Sequence, residues 1–400
     1  PAPAPAPAVT PAPREFTREE LEQRLEAIVG NERVKEQIRE LFENLEATKL
    51  RREKGMPVWD AKQPEHMIFR GNPGTGKTLI AYLVAEILHG MGVLPGAPGG
   101  GSMPFVERQR SGLVDSKIGG TEERTREALA AAKGGVLFID EAYMLTDSDS
   151  SNDFGKRAFE VIMEDMAPKP NGPAVDPVVF FAGYLEKMES FVEANAGMRR
   201  RIKRTFTFTD YSPLDLARIF VLKVCRGGGG AFYLHEEVTE ASIATLIAGH
   251  TSPAWRALFN GGVAERLAEC TMRLHSRSTS GSSDMERARM IHHDDIVAGA
   301  ELLANEEGQP NHFTEPRRLA GLSSNPRVKD AVESLLAGRT TKFNSKRIGT
   351  DGAKAVAEAL KVNVSLTELN LARELTGCDA FSACIFSVRN SIGAEGGDRK

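Results

Sequence analysis

The sequence predicts an α/β protein with three layers, helices covering both faces of a parallel sheet, followed by a small helical domain. Three observations carry that prediction. A glycine-rich octapeptide, Gly71-Asn72-Pro73-Gly74-Thr75-Gly76-Lys77-Thr78, joins a strand-like run to a helix-like one. Strand and helix patterns alternate from His66 onward, as they do where crossover helices link parallel strands. After Pro213 only helical periodicity remains.

Taken in order, Pro1 to Pro13 alternates proline mainly with alanine and reads as a stiff polyproline-II-like tether. Glu19 to Lys54 has apolar residues at helical spacing (Leu21, Leu25, Ile28, Val34, Ile38, Leu41, Leu45). Ile28-Val29-Gly30-Asn31 interrupts it, either as a helix–helix turn or as a segment placing Val29 beside an adenine ring. Strands are expected at Met67–Arg70, Pro104–Glu107, Val136–Ile139, Val178–Ala182 and Thr205–Thr209, with helices after the octapeptide, from near Thr121, and over Asp153–Met166. Beyond Pro213, helices are expected at Leu214–Cys225, His235–His250, Val263–Ser276 and His293–Asn305, with Gly227–Gly230 a joint between the first two. Gln309 to Arg339 is polar and linker-like, with one helix.

The octapeptide fits G-x-x-x-x-G-K-[ST], and its physics is that of an anion cradle. Glycines allow a tight turn in which the amides of Asn72, Pro73-flanking Gly74, Thr75 and Gly76, with the helix N-terminus, face a phosphate chain. Lys77 is placed to reach the β- and γ-phosphates, and the Thr78 hydroxyl to ligate Mg²⁺. The bland alternative is a chance glycine-rich loop. The second signal is Val136-Leu137-Phe138-Ile139-Asp140-Glu141, an apolar run ending in two carboxylates. A buried parallel strand reads as continuous apolar sequence, and the C-terminal ends of such strands face the ligand crevice. Asp140 would hold Mg²⁺ and Glu141 would polarise the attacking water. The alternative is an acidic pair that merely ends a strand.

The chain of 400 residues carries a formal net charge of −4, with 41% hydrophobic and 26% charged residues, enough for two or three soluble domains. That balance gives no reason to expect a nucleic-acid partner. No apolar run reaches the roughly 18 residues of a membrane span, so no membrane partner is expected. Cys225, Cys270, Cys378 and Cys384 lack metal-site spacing and suggest a reducing compartment. A start at Pro1 and a stop at Lys400 read as a fragment of something longer.

The last 60 residues change character. Ile348-Gly349, the amphipathic Gly352–Leu360, and Leu366-Thr367-Glu368-Leu369-Asn370-Leu371 make one leucine-rich repeat unit. A second opening at Asn390–Gly397 follows too late for the usual period of about 20–29 residues. Removing Glu374–Val388 restores the register, which suggests an unspliced intron or a genuine insertion.

With these motifs in view, the chain resembles AAA+ ATPases of the CbbX/SpoVK type, the branch that contains the red-type Rubisco activases. The resemblance rests on Gly71–Thr78, Gly112-Leu113-Val114, Ile118–Thr121, Gly134–Tyr143, Asp153-Phe154-Gly155, Phe181–Tyr184 and Asn195–Ile202, and covers about residues 15 to 306. The tail resembles the ribonuclease-inhibitor-like repeats of NOD-type receptors. The resemblance implies a division into a linker (1–14), an AAA+ α/β domain (15–212), a helical lid (213–306), a second linker (307–340) and a repeat fragment (341–400).

It further implies a homo-oligomeric ring, usually a hexamer, with ATP at subunit interfaces and Mg²⁺ as cofactor. Arg201 matches the arginine that reaches a neighbour's site, with Arg199 and Arg200 as substitutes; a solvated basic face is the plain alternative. Tyr184 occupies the sensor-1 position, or is a core tyrosine. Two departures stand out. Lys117 replaces the aromatic of the pore loop, which weakens the case for threading. In Asn260–Arg266, Glu265 falls where the sensor-2 arginine is expected and Arg266 lies one step on, about 100° around a helix. The implied function is an ATP-hydrolysing motor that remodels an unidentified protein client. The alternative is a nucleotide-gated scaffold in which turnover is incidental.

Overall fold

The computed structural model describes residues 16–58, 65–97, 102–115, 117, 119–146, 154–167, 177–193, 196–227, 232–280, 284, 286–309, 326–336, 342–345, 355–356, 358–360 and 368–371. The expectations for Pro1–Pro13, Glu374–Val388 and Asn390–Gly397 lie outside the described residues. The chain divides between Asp210 and Tyr211 into two compact units.

In the first unit, helix α1 (Arg18–Glu26) starts where the Thr17 hydroxyl accepts the Glu20 N–H at 3.2 Å. It buries Leu21 and Leu25, and α2 (Glu32–Glu53) buries Val34, Ile38, Leu41 and Phe42. The interruption at Ile28–Asn31 is the turn between them, with Asn31 in the left-handed region at φ 55°. Asparagine tolerates that conformation better than most residues.

There follow β1 (His66–Arg70), α3 (Lys77–Gly90), β2 (Phe105–Arg108), a short α4 (Arg110–Leu113), α5 (Gly120–Ala131) and β3 (Val136–Ile139). A 3₁₀ turn (Ala142–Leu145) leads to α6 (Phe154–Asp165), β4 (Val178–Gly183), α7 (Leu185–Glu193), α8 (Ala196–Arg201) and β5 (Ile202–Thr207). The five strands form one parallel sheet ordered β2-β3-β4-β1-β5. Strand alternation sends Phe69, Phe138, Phe180 and Phe206 to a core shared with α1, α2 and α3. It sends Ile68, Leu137, Val179 and Phe181 to a second core against α5, α6 and α7. The three layers expected from sequence are therefore present. The last strand begins at Ile202 rather than Thr205. As an edge strand it accommodates charge, Arg204 pairing with Glu65 at 2.8 Å, so its apolar content understated its length.

The second unit contains α9 (Pro213–Gly227), β6 (Tyr233–Leu234), α10 (Glu240–His250), α11 (Pro253–Phe259), α12 (Gly261–Thr279), β7 (Met290–Ile291) and α13 (His293–Glu306). Two sequence expectations are corrected here. Strands do not stop at residue 213: β6 and β7 pair in parallel, and the His235 N–H extends the ladder to Ile291 O at 2.9 Å. Two-residue strands are too short to leave a period-2 pattern. For the same reason α10 starts at Glu240, not His235; the Thr239/Ser242 capping box fixes that start. Helix α11 was not anticipated, although Ser252 followed by Pro253 is a recognisable helix start. Helix α14 (Pro326–Leu336) packs Val328, Val332, Leu335 and Leu336 into the same core as Leu216, Phe220 and Leu267. Ala355, Val356, Ala359 and Leu360, the apolar face of the expected repeat helix, join that core. Strands β8 (Lys342–Ser345) and β9 (Glu368–Leu371) pair in parallel, Lys342 opposite Glu368.

Candidate functional site

The site lies at the C-terminal ends of three adjacent strands of the first unit. β1 runs into the phosphate loop, β4 ends at Gly183 before Tyr184, and β3 ends before Asp140 and Glu141. Because β4 lies between the other two, the loop and the carboxylates are two strand spacings apart, about 10 Å. Tyr184, which follows β4, stands between them in strand order.

Gly71 anchors the loop to the sheet: its N–H donates to Gly183 O at 3.0 Å, and a Cβ there would meet the Phe208 Cβ at 2.7 Å. Gly74 and Gly76 hold positive φ of 71° and 89°, so the loop turns in a way larger residues resist. Lys77 Nζ donates to Gly71 O at 3.0 Å and to Asn72 O at 2.8 Å, and Thr75 Oγ1 donates to Asn72 O at 2.7 Å. Burial pulls the Lys77 ammonium below its ordinary pKa, while Asp140 and Glu141 push it back up, which places both carboxylates within its field. Thr78, half-buried, is the second residue of α3. Its hydroxyl and the Asp140 carboxylate are hard oxygen donors suited to Mg²⁺, which takes one or two protein ligands and completes its shell with phosphate and water.

Glu141 is one of three non-glycine residues with positive φ among those described, at 50°. Its N–H donates to Asp140 Oδ1 at 2.9 Å. The buried Tyr143 hydroxyl lies 3.5 Å from Glu141 Oε1. Burial, and then the charge of Glu141, push the Tyr143 phenol up to about 12, so it keeps its proton to donate. Tyr184 packs on Tyr143 with ring centroids 5.9 Å apart, and Lys187 Nζ sits 4.4 Å from the Tyr143 centroid. Gly183 must be small: a Cβ there would come within 2.9 Å of the Tyr143 ring and 2.8 Å of Met188 Sδ. Sequence reasoning gave Tyr143 and Gly183 no role of their own, although both lie within motifs that carry the family resemblance.

Val29 is half-buried in the α1–α2 turn. The turn reaches the loop through Asn31, whose Nδ2 donates to Thr75 O at 3.2 Å and whose Oδ1 accepts the Thr209 N–H at 3.2 Å. Sequence reasoning missed Asn31 as well; a Gly-Asn pair at a helix–helix junction was its only signal.

Arg201 does not join this cluster. It ends α8 and precedes β5, whose register places Ile202 opposite His66, the first residue of β1. It therefore sits a full strand length, roughly 15 Å, from its own phosphate loop. Its Nη1 donates to Gly197 O at 3.1 Å, its Nε is buried, and the residue lines a cleft with Glu160, Met163, Glu164 and Ala167. Arg199 and Arg200 are exposed. In the second unit, Arg266 pairs with Glu307 and lies 4.4 Å from the Phe259 ring, while Glu265 pairs with Lys223 at 2.5 Å. Lys117 is exposed, its N–H bonded to Asp115 Oδ1 at 3.0 Å.

The sequence comparisons agree with this geometry. The model of the ATPase family associated with various cellular activities (AAA) matches residues 67–209, and that of a domain of unknown function (DUF8495) matches residues 210–304. The CfxQ homolog of Cyanidium caldarium is 35% identical over 209 residues, covering 51% of this chain and 69% of that protein. The chain belongs to the AAA ATPase family. Stage V sporulation protein K of Bacillus subtilis is 36% identical over 200 residues, covering 50% of this chain and 58% of that protein. The chloroplastic ribulose bisphosphate carboxylase/oxygenase activase of Cyanidioschyzon merolae is 36% identical over 192 residues, 48% of this chain and 61% of the activase. The chain thus spans somewhat over half the length of most curated relatives it matches. The expected AAA and CbbX-like assignment holds. Among the described residues, no helix is long and apolar enough to cross a membrane.

Proposed function

We propose that this chain binds and hydrolyses Mg²⁺-ATP and uses the cycle to remodel a protein client. The observation that carries the reading is Lys77, held at the phosphate loop within the field of Asp140 and Glu141. In this reading the amides of Asn72, Gly74, Thr75 and Gly76 and the α3 N-terminus grip the phosphates, with Pro73 shaping the turn, and Lys77 neutralises β- and γ-oxygens. Thr78 and Asp140 hold the metal, which, once bound, offsets charge on the phosphate oxygens. Glu141 orients and polarises the attacking water, with the Tyr143 hydroxyl fixing its carboxylate, and Tyr184 contacts the γ-phosphate or that water. Val29 flanks the base.

A ring of copies completes the site. The strand-length separation between Arg201 and its own loop supports a cation acting on a neighbouring copy rather than within one chain. The exposed Arg199 and Arg200 are better placed to reach outward than Arg201, whose guanidinium is turned back on α8. Arg266 would serve the lid, provided it releases Glu307. The domain division given above is kept, and the tail is read as a leucine-rich repeat that selects the client. The parallel pairing of β8 with β9, at a separation inside the usual repeat period, supports it. A relative named as an activase of ribulose bisphosphate carboxylase/oxygenase supports a protein client, without naming this one. The exposed Lys117 in the pore-loop position favours a second reading, a nucleotide-gated scaffold.

The experiment is ATP turnover across protein concentration, with Lys77→Ala and Glu141→Gln as controls. Turnover that rises with concentration, binding weakened about 100-fold or more in Lys77→Ala, and kcat lowered about 10²–10⁴-fold in Glu141→Gln with binding retained, support the motor. Assembly driven by ATP without turnover selects the scaffold. Normal turnover in Glu141→Gln removes that residue from the mechanism.

A further inference from the structure

Helix α10 is buried on every face. Ser242 through Ile247 are six consecutive buried residues, and 3.6 residues complete a turn, so no side is left for water. Its hydroxyls are satisfied by its own backbone and cap: Ser242 Oγ donates to Thr239 O at 2.8 Å, and Thr245 Oγ1 to Ala241 O at 2.9 Å. Such a helix needs neighbours all round it. Helices α9 and α13 of the lid pack on it, and so does α14. The family model that matches the lid stops at residue 304, so the cover that α14 supplies comes from beyond it.

The pattern of α14 suits that place. Val328, Val332, Leu335 and Leu336 fall at i, i+4, i+7 and i+8 and are buried, while Lys329, Asp330 and Glu333 are exposed. β8 begins at Lys342, and even fully extended the link 337–341 spans only about 20 Å. Between β8 and β9, Ala355, Val356, Ala359 and Leu360 enter the same core as Leu216, Phe220 and Leu267 of the lid. The segment that carries β8 and β9 is therefore attached to the lid core by two apolar stripes. A single attachment would leave it free to swing; the second fixes its orientation.

We infer that α14 is a strap that makes the lid and the segment 342–371 one cooperative body, so that any displacement of the lid carries the segment with it. A client held by this segment is then moved by the lid directly, which requires no grip from the loop at Lys117. The strap stands on packing alone. That the carried segment selects a client, and that nucleotide moves the lid, rest on the function proposed above.

The test is hydrogen exchange of the full chain, read at 240–250, at 355–360 and, as an internal reference, at β3. Val332→Ala should speed exchange about tenfold and Leu336→Ala about 30-fold, by a common factor at 240–250 and 355–360, with β3 unchanged. Lys329→Ala, on the exposed side, should leave all three within about twofold. Exchange that speeds at 355–360 while 240–250 keeps its wild-type rate overturns the strap, and so does no change at either. A second measurement needs no core substitution in α14. With the four native cysteines replaced by alanine, spin labels at Glu269 of α12 and at Lys342 should give one narrow distance distribution, the same with and without Mg²⁺-ATP. A broad distribution, or one that shifts with nucleotide, overturns the single body. Exchange and distance are both read first without nucleotide, so a wild type that fails to hydrolyse ATP overturns the motor and not the strap.

Discussion

The two rims of the same sheet are built on opposite principles. At the C-terminal rim, main-chain groups are left facing outward, glycines permit the turns, and a lysine stands among carboxylates. At the N-terminal rim, polar groups are packed away. His66 is 3% exposed, its Nδ1 accepts the Val179 N–H at 3.0 Å, and Arg201 is folded over the cleft between α6 and α8. In the function proposed above, one rim takes the ligand and the other presents cations at the edge of the unit. The difference teaches that a basic run such as Met198–Arg204 is not one functional object: neighbouring arginines meet different environments and have different work.

The arginines give the largest test of that contrast. An arginine donated to a neighbouring site contributes about 10³–10⁵ in rate where measured in GTPases. Arg199→Ala or Arg200→Ala should therefore lower kcat about 10³-fold with an unchanged melting midpoint. Arg201→Ala should lower stability first. Should Arg201→Ala abolish turnover at full stability while both exposed arginines prove dispensable, the division drawn here between them is broken.

His66 gives the next effect. Burial, and the nearby Arg201 charge, lower it from the ordinary 6.5 to about 4. The folded state thus prefers the neutral ring. Stability is full above pH 6.5 and falls as pH drops from 6.5 toward 4, by up to about 3 kcal/mol. Urea titrations at pH 7.5 and 4.5 check this: His66→Gln should lose that part of the slope, and an identical slope in both proteins refutes the assignment.

Gly183 at the opposite rim gives a smaller effect. Its substitution by alanine drives a methyl into the Tyr143 ring and Met188, which typically costs about 1–3 kcal/mol through overpacking. We expect about 2 kcal/mol by urea midpoint, together with reduced kcat as Tyr143 moves from Glu141. Wild-type stability with wild-type turnover would show that the Tyr143 ring is free to shift.

Much of this was legible in the chain. The octapeptide, the run ending at Asp140-Glu141 and the alternation of elements were readable because backbone geometry and burial restrict which residues fit. β3 is a fully buried strand, so its sequence is nearly continuous apolar and its limits were readable to the residue. β5, at the edge, carries Lys203 and Arg204 and was read three residues late. β6 and β7 were invisible because two residues cannot carry a period. Tyr143 and Asn31 were missed because their roles come from contacts with residues distant in the chain or from a local turn, not from spacing.

By itself, the sequence determined that a strand, an anion cradle and a helix follow one another, and that a carboxylate pair ends a buried strand. Those are local facts, set by glycine conformations, amide direction and hydrophobic burial over a few residues. Only the tertiary structure decided that β4 lies between loop and carboxylates, that Arg201 is out of reach of its own loop, and that Asn31 meets Thr75 and Thr209. Strand order and side-chain bridges across well over one hundred residues depend on how the whole sheet packs, and no local pattern encodes them.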